Sequence, residues 1–189
     1  MAHKVCPWWL GYGLVSPIRR VLEPPRSLLA PHVAPGMVVV EPGCGMGFFT
    51  IELARMVGPT GKVIAVDVQP RMLTGLRRRL RRTGLADRID IRLADAGALH
   101  LDDLAGTADL AVAVRVVHEV DEPRGFFAEL RAVLKPDGRI LVVEPRRRVT
   151  AAEFEGQIQA AAAVGFVVAH RFAYHSDPAV LLQRPSGVS

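Results

Sequence analysis

The run Met37-Val38-Val39-Val40-Glu41-Pro42-Gly43-Cys44-Gly45-Met46-Gly47-Phe48-Phe49 constrains the fold of this chain more than any other stretch. An apolar run without polar alternation is the pattern of a strand covered on both faces, and such strands belong to parallel sheets. Gly43, Gly45 and Gly47 follow at once and supply backbone freedom where the chain must bend closely around a ligand. A buried strand that passes through a glycine loop into a helix is the opening unit of a doubly wound α/β fold, and the turn is where such folds hold their ligands.

The rest of the chain continues the pattern. From Val38 onward, apolar runs alternate with segments of helical spacing. This predicts the α/β class: a Rossmann-like, doubly wound seven-stranded sheet, mostly parallel, with a C-terminal antiparallel hairpin and helices on both faces. The first helix, Phe48 to Val57, stops at Gly58-Pro59, and the second strand runs from Val63 to Asp67. Pro70 opens a second helix with Leu73, Leu76 and Leu80 on one side and Arg77, Arg78, Arg81 and Arg82 mainly on others; Gly84 ends it. Ile89 to Leu93 alternates apolar with charged residues and belongs near a sheet edge, whereas Leu110 to Val114 and Ile140 to Val143 are unbroken and belong mid-sheet. A helix from about Pro123 to Leu134 leads into a Pro136-Asp137-Gly138 turn. Thr150 and Glu153 have the spacing of a capping box at the start of the last helix, which Gly165 closes. Phe166 to Val168 and Ala179 to Leu182, joined by a polar segment, form the hairpin.

Length and composition bound the organisation. With 189 residues, half of them hydrophobic, the chain fits one globular domain with a sizeable core. Residues 1–36 differ from the remainder: Trp8, Trp9 and Tyr12 cluster there, and Pro17, Pro24, Pro25, Pro31 and Pro35 cut the rest into short pieces. We expect a helical and aromatic lid segment over 1–36 ahead of a main domain over 37–189. Cys6 and Cys44 lie far apart in no zinc-like spacing, and no leader precedes them, so the expected compartment is the cytoplasm and no metal is expected. No apolar run reaches the roughly 18 residues of a membrane span. The net charge of +5 is almost all arginine. Such basicity fits a polyanionic partner or a coding bias toward Ala and Arg, and we read the arginines from Arg77 to Arg82 and at Arg146 to Arg148 as solvated surface.

The chemistry of the loop narrows its ligand. An acid about twenty residues after the glycines, here Asp67 at the end of the second strand, is placed to bind the two hydroxyls of a ribose, or alternatively to cap the Pro70 helix. The glycine spacing is one residue tighter than the pyrophosphate pattern, and Glu41 stands just ahead of it. A carboxylate there repels a pyrophosphate and suits a cation.

Glu41-Pro42-Gly43-Cys44-Gly45-Met46-Gly47, Val66-Asp67, Leu93-Ala94-Asp95-Ala96 and Leu134-Lys135-Pro136-Asp137-Gly138-Arg139 together resemble the successive motifs of class I S-adenosylmethionine-dependent methyltransferases, over about residues 37–183. The texture is closest to the small-molecule enzymes of quinone biosynthesis. The resemblance implies S-adenosylmethionine as cofactor and S-adenosylhomocysteine as product. It implies that the Gly43 to Gly45 backbone, Cys44 included, lies against the methionine part, that Asp67 holds the ribose, and that Val68 packs on the adenine, with Met72 and Glu41, which fits the acid usual in the family's first motif, in the same cofactor set. Asp95 would accept from the adenine amino group and Ala96 would donate an amide to the ring, unless Asp95 is a turn residue. The Arg115 backbone would meet the ligand's amino group.

The candidate catalytic residues are His118, Glu119 and Tyr12. Methyl transfer requires the acceptor to be positioned and often deprotonated, and histidine removes protons near neutral pH. Glu119 would orient the imidazole or face solvent, and His118 itself is either a base or a packed strand-end residue. Trp8, Trp9 and Tyr12 would form a lid or seal the sheet. The expected partner is a small-molecule methyl acceptor and not a nucleic acid. RNA or protein methylation, and a non-catalytic S-adenosylmethionine-binding module, are the competing readings.

Overall fold

The computed structural model describes residues 22–186. Its strands run β1 (Val38–Pro42), β2 (Lys62–Asp67), β3 (Ile89–Leu93), β4 (Ala108–Val114), β5 (Leu134–Val143), β6 (Val167–Tyr174) and β7 (Asp177–Gln183). They form a seven-stranded sheet in the order β3-β2-β1-β4-β5-β7-β6. The helices are α1 (Pro25–Leu29), α2 (Thr50–Met56), α3 (Pro70–Leu80), α4 (Pro123–Val133) and α5 (Ala151–Ala162). The chain divides into two compact units, Met1–Ala94 and Asp95–Ser189.

In the first unit β1 pairs in parallel with β2 and β2 with β3, with Pro42 opposite Val66 and Asp67 opposite Leu93. Parallel pairing in near-even register brings the loops after all three strands out at one edge. Val39, Val40 and Val63 to Val66 are fully or almost fully buried, as the unbroken apolar runs require. The β3 strand lies at the sheet edge, where its charged alternation places it. The α2 helix packs on β2, and α3 packs on β2 and β3. The α3 helix is held through Leu73, Leu76 and Leu80, all buried, while Arg77, Arg78, Arg81 and Arg82 are exposed.

In the second unit β4 pairs in parallel with β5, with Val114 opposite Val143, and β5 pairs antiparallel with β7. The ends of β4 and β5 and the start of β7 therefore share one edge. The Thr150 side chain accepts from the Glu153 amide at 3.2 Å while the Glu153 carboxylate takes the Thr150 amide at 2.7 Å, so the capping box is formed as the sequence predicts. Pro136-Asp137-Gly138 is a correction: it lies inside β5, not in a turn ahead of it. Leu134 pairs with Ala108 and Arg139 with Leu110, so the extra residues bulge out, with Asp137 at φ 63°.

The hairpin is also longer than its apolar cores. Val167–Tyr174 and Asp177–Gln183 pair along their length around a two-residue connection, His175-Ser176. Both residues are left-handed, at φ 47° and 70°, as a two-residue turn of the mirror-image type demands. Asparagine and glycine usually fill such positions, so neither residue marks the turn in the sequence.

Candidate active site

The loop after β1 is built from three left-handed glycines, Gly43 at φ 69°, Gly45 at 53° and Gly47 at 82°. Side chains pay for that conformation, and at Gly47 a Cβ would also stand 2.4 Å from Leu76 Cδ1. The Cys44 amide donates to the Val66 carbonyl at 3.0 Å, which ties the loop to the end of β2. The Arg79 guanidinium of α3 donates to the Met46 carbonyl and fixes its far side. Arg79 thus departs from the solvated-surface reading of the arginines from Arg77 to Arg82: it is half-buried and bonded to the loop. Cys44 is buried, and burial pushes its thiol well above the ordinary range, which disfavours the reactive thiolate.

Asp67 lies against this loop. Its Oδ2 accepts from the Gly45 amide and its Oδ1 from the Gln69 amide, each at 2.8 Å. The second of these is a cap-like contact at the start of α3, the helix-start role that the sequence offered as the alternative to ribose binding. Burial raises the Asp67 pKa and the two amides pull it back. An ionised carboxylate offers about four acceptor directions, and two amides leave one on each oxygen. Val68, 39% exposed, and Leu93, 53% exposed, are large apolar side chains at the ends of the adjacent strands β2 and β3. Leu93, in an alternating edge strand, was not among the candidate site residues of the sequence. Met72 is buried at the start of α3.

Glu41 is buried, and its Oε2 atom has no hydrogen-bond partner among the described residues. Burial pushes its carboxyl up to about 8, with Thr50 opposing the shift and the Asp67 charge adding to it. A carboxyl raised in the folded state binds more protons folded than unfolded between its two pKa values. Stability contributed by this group is therefore full below about pH 4.5 and lost as pH rises to about 8. The upper limit of the loss is about 5 kcal/mol, at about 1.4 kcal/mol per pKa unit. Denaturant unfolding of the apo protein at pH 5 and pH 9 should show this fall in the wild type and a flatter profile in Glu41→Gln. Parallel profiles for the two proteins would remove Glu41 as its source.

In the second unit, Glu144 immediately follows β5 and is completely buried. Its Oε1 accepts from the amides of Val116 and Val117, at 3.2 and 3.0 Å, and its Oε2 lies 2.6 Å from His118 Nδ1. A carboxylate cannot donate, so when the imidazole is neutral its proton sits on Nδ1 and Nε2 carries the lone pair. His118 Nε2 is buried and has no hydrogen-bond partner among the described residues. Glu119 Oε1 lies 3.9 Å from Nε2, beyond hydrogen-bonding range, so the orienting role expected of Glu119 falls to Glu144. One signal pointed to Glu144: Val-Val-Glu-Pro occurs at 39–42 and again at 142–145, each time closing a core strand on a buried glutamate.

The remaining candidates have other partners. Arg115 is left-handed at φ 59°, its amide donates to the Val143 carbonyl at 2.7 Å, and its guanidinium pairs with Asp177 at 2.8 Å. Asp95 is exposed, exchanges backbone hydrogen bonds with Ala98, and takes His100 Nε2 at 2.7 Å, a contact that raises the His100 pKa. Ala96 is exposed in the same turn. Tyr12, Trp8 and Trp9 lie outside the described residues. Among the described residues no group of His, Cys, Asp and Glu is arranged to hold a metal ion, and no helix is long and apolar enough to cross a membrane.

Comparison with known proteins matches residues 34–173 to a family model described as a methyltransferase domain. A ubiquinone biosynthesis O-methyltransferase from Methylocella silvestris is 30% identical over 154 residues, which is 80% of this chain and 57% of that protein. A ubiquinone/menaquinone biosynthesis C-methyltransferase from Salmonella arizonae is 36% identical over 58% of this chain and 43% of its own length. The chain thus spans about half the length of these curated relatives. A solved S-adenosylmethionine-dependent methyltransferase from Aquifex aeolicus shares the fold with a TM-score of 0.84 at 24% identity, covering 95% of this chain and 100% of that one.

Proposed function

The chain belongs to the methyltransferase domain family of the class I S-adenosylmethionine-dependent type, and on that premise we propose that it methylates a small-molecule acceptor. The observation that carries the cofactor half of this reading is Asp67. Two backbone amides fix its carboxylate at the end of β2, and one acceptor direction remains on each oxygen, the pattern a vicinal ribose diol fills. Glu41 fits the same ligand: a buried carboxyl with an unpartnered oxygen beside the glycine loop is stabilised as a carboxylate by a nearby cation. Val68 and Leu93 offer apolar surface for a base ring. When bound, the cofactor supplies an electrophilic methyl group on a sulfonium, which leaves as a neutral thioether.

The chain's own contribution to the chemistry is proton removal. Glu144 holds His118 in the tautomer with a free Nε2 lone pair, and in this reading Nε2 takes the proton that the acceptor loses as its new bond to carbon forms. Placing the acceptor contributes as much as the base, because an in-line displacement needs the two reacting atoms held along one axis. The curated relatives, named for quinone biosynthesis, support a small aromatic or apolar acceptor.

The test is transfer of label from methyl-labelled S-adenosylmethionine, with small-molecule, RNA and protein fractions offered in parallel. Label is expected in the small-molecule fraction. Label confined to RNA or protein would replace the acceptor class, and cofactor binding with no transfer to any fraction would favour a non-catalytic module.

A further inference from the structure

The second unit holds a pocket of about 360 Å³ whose lining includes Arg115, Arg146, Arg147, His175 and Asp177. It is assembled from three chain segments that share one sheet edge: the residue after β4, the residues after β5, and the β6–β7 turn. We propose that this pocket is an oxyanion site, taking a carboxylate or phosphate group on a small molecule.

Three observations carry the assignment. The first is charge. Three arginines and one carboxylate line the pocket, and among the described residues no carboxylate pairs with the side chains of Arg146 or Arg147. Guanidinium groups match planar and tetrahedral oxyanions by their forked donors. The second is construction. Asp177 accepts from Arg115 Nε at 3.2 Å and Nη2 at 2.8 Å, and from the Arg146 amide at 3.1 Å. It thus fixes one guanidinium and the backbone that presents the next. The third is strain. Arg115 is a non-glycine residue with a left-handed backbone, at φ 59°, and it lines this pocket; the left-handed backbones of His175 and Ser176 belong to the hairpin turn. Such conformations cost energy and collect at ligand sites. The arginine run at 146–148 is accordingly not uniform: Arg146 and Arg147 line the pocket, whereas Arg148 does not.

The pocket is joined to the His118 dyad through short lengths of chain. Arg115 lies three residues before His118, and Arg146 lies two residues after Glu144. Resting on the methyltransferase reading, the site would hold the acidic group of the methyl acceptor. The oxyanion site itself does not depend on that reading.

The experiment titrates the full-length protein at low ionic strength with inorganic phosphate and, separately, with benzoate, following heat and thermal shift. Wild type is compared with Arg146→Gln/Arg147→Gln, whose altered side chains are exposed and outside the proposed cofactor residues. Saturable binding of either anion, weakened at least about tenfold in the double variant with unchanged melting temperature and S-adenosylmethionine binding, is the expected result. The tighter anion identifies the group as phosphate or carboxylate. Absence of saturable binding, or equal affinity in the two proteins, overturns the site. A short single-stranded RNA that binds with a steep salt dependence lost in the double variant, while neither small anion saturates, also overturns it in favour of a polyanion surface. Anion binding without S-adenosylmethionine binding would sustain this site while refuting the methyltransferase reading.

Discussion

Asp67→Ala should weaken S-adenosylmethionine binding by at least about 100-fold, since it removes both charge-assisted acceptors for a ribose diol at about 1.5–3 kcal/mol each. The same change leaves the Gly45 and Gln69 amides without their acceptors, so the loop after β1 and the start of α3 both lose an anchor. A fall in melting temperature is therefore expected alongside the loss of binding. Asp67→Asn separates the two effects. Asparagine keeps the shape and one acceptor oxygen but turns an amide donor toward a backbone N–H, so it should lose most of the affinity as well. Affinity in Asp67→Ala equal to that of wild type would leave this residue with a structural role only.

The second large effect lies at the dyad. His118→Ala should lower the rate of methyl transfer by about 10²- to 10⁴-fold, the range for removing a general base. Glu144→Gln is the sharper variant. The glutamine oxygen must serve the Val116 and Val117 amides, which turns the side-chain NH₂ toward His118 Nδ1. That forces the proton onto Nε2 and leaves the base in the wrong tautomer. Glu144→Gln should approach His118→Ala in rate with cofactor affinity retained, whereas Glu119→Gln should cost far less. Equal rates in wild type and Glu144→Gln would reduce the contact to packing.

What was legible in the sequence was local. The glycine loop, the acid at the end of β2, the Thr150–Glu153 cap and the edge position of β3 each follow from a few adjacent residues whose conformational needs are strong. What escaped depends on pairing between distant segments. Glu144 stands 26 residues from His118, and nothing near either residue records their contact. The β6–β7 hairpin turns on histidine and serine rather than on the asparagine and glycine that usually mark such a turn, so its polar half read as a linker. Pro136-Asp137-Gly138 has ideal turn chemistry, but pairing with β4 on either side turned it into a bulge.

Local chemistry also explains why the two buried glutamates diverge despite sharing the sequence Val-Val-Glu-Pro. Glu144 is satisfied by two amides and an imidazole, and it acts by holding its partner. Glu41 keeps an unpartnered oxygen beside the glycine loop and is held up to about 8 by burial, the condition under which an arriving cation has most to stabilise.

The measurement closest to the central claim is a calorimetric titration of the wild-type protein with S-adenosylmethionine and S-adenosylhomocysteine at a pH above 8, where Glu41 is ionised. Saturable one-to-one binding of both ligands is expected, with the affinity for the cationic cofactor falling as the pH is lowered below about 8 and that for the product, which lacks the sulfonium, falling less. No binding of either ligand, by heat or by thermal shift, would contradict it.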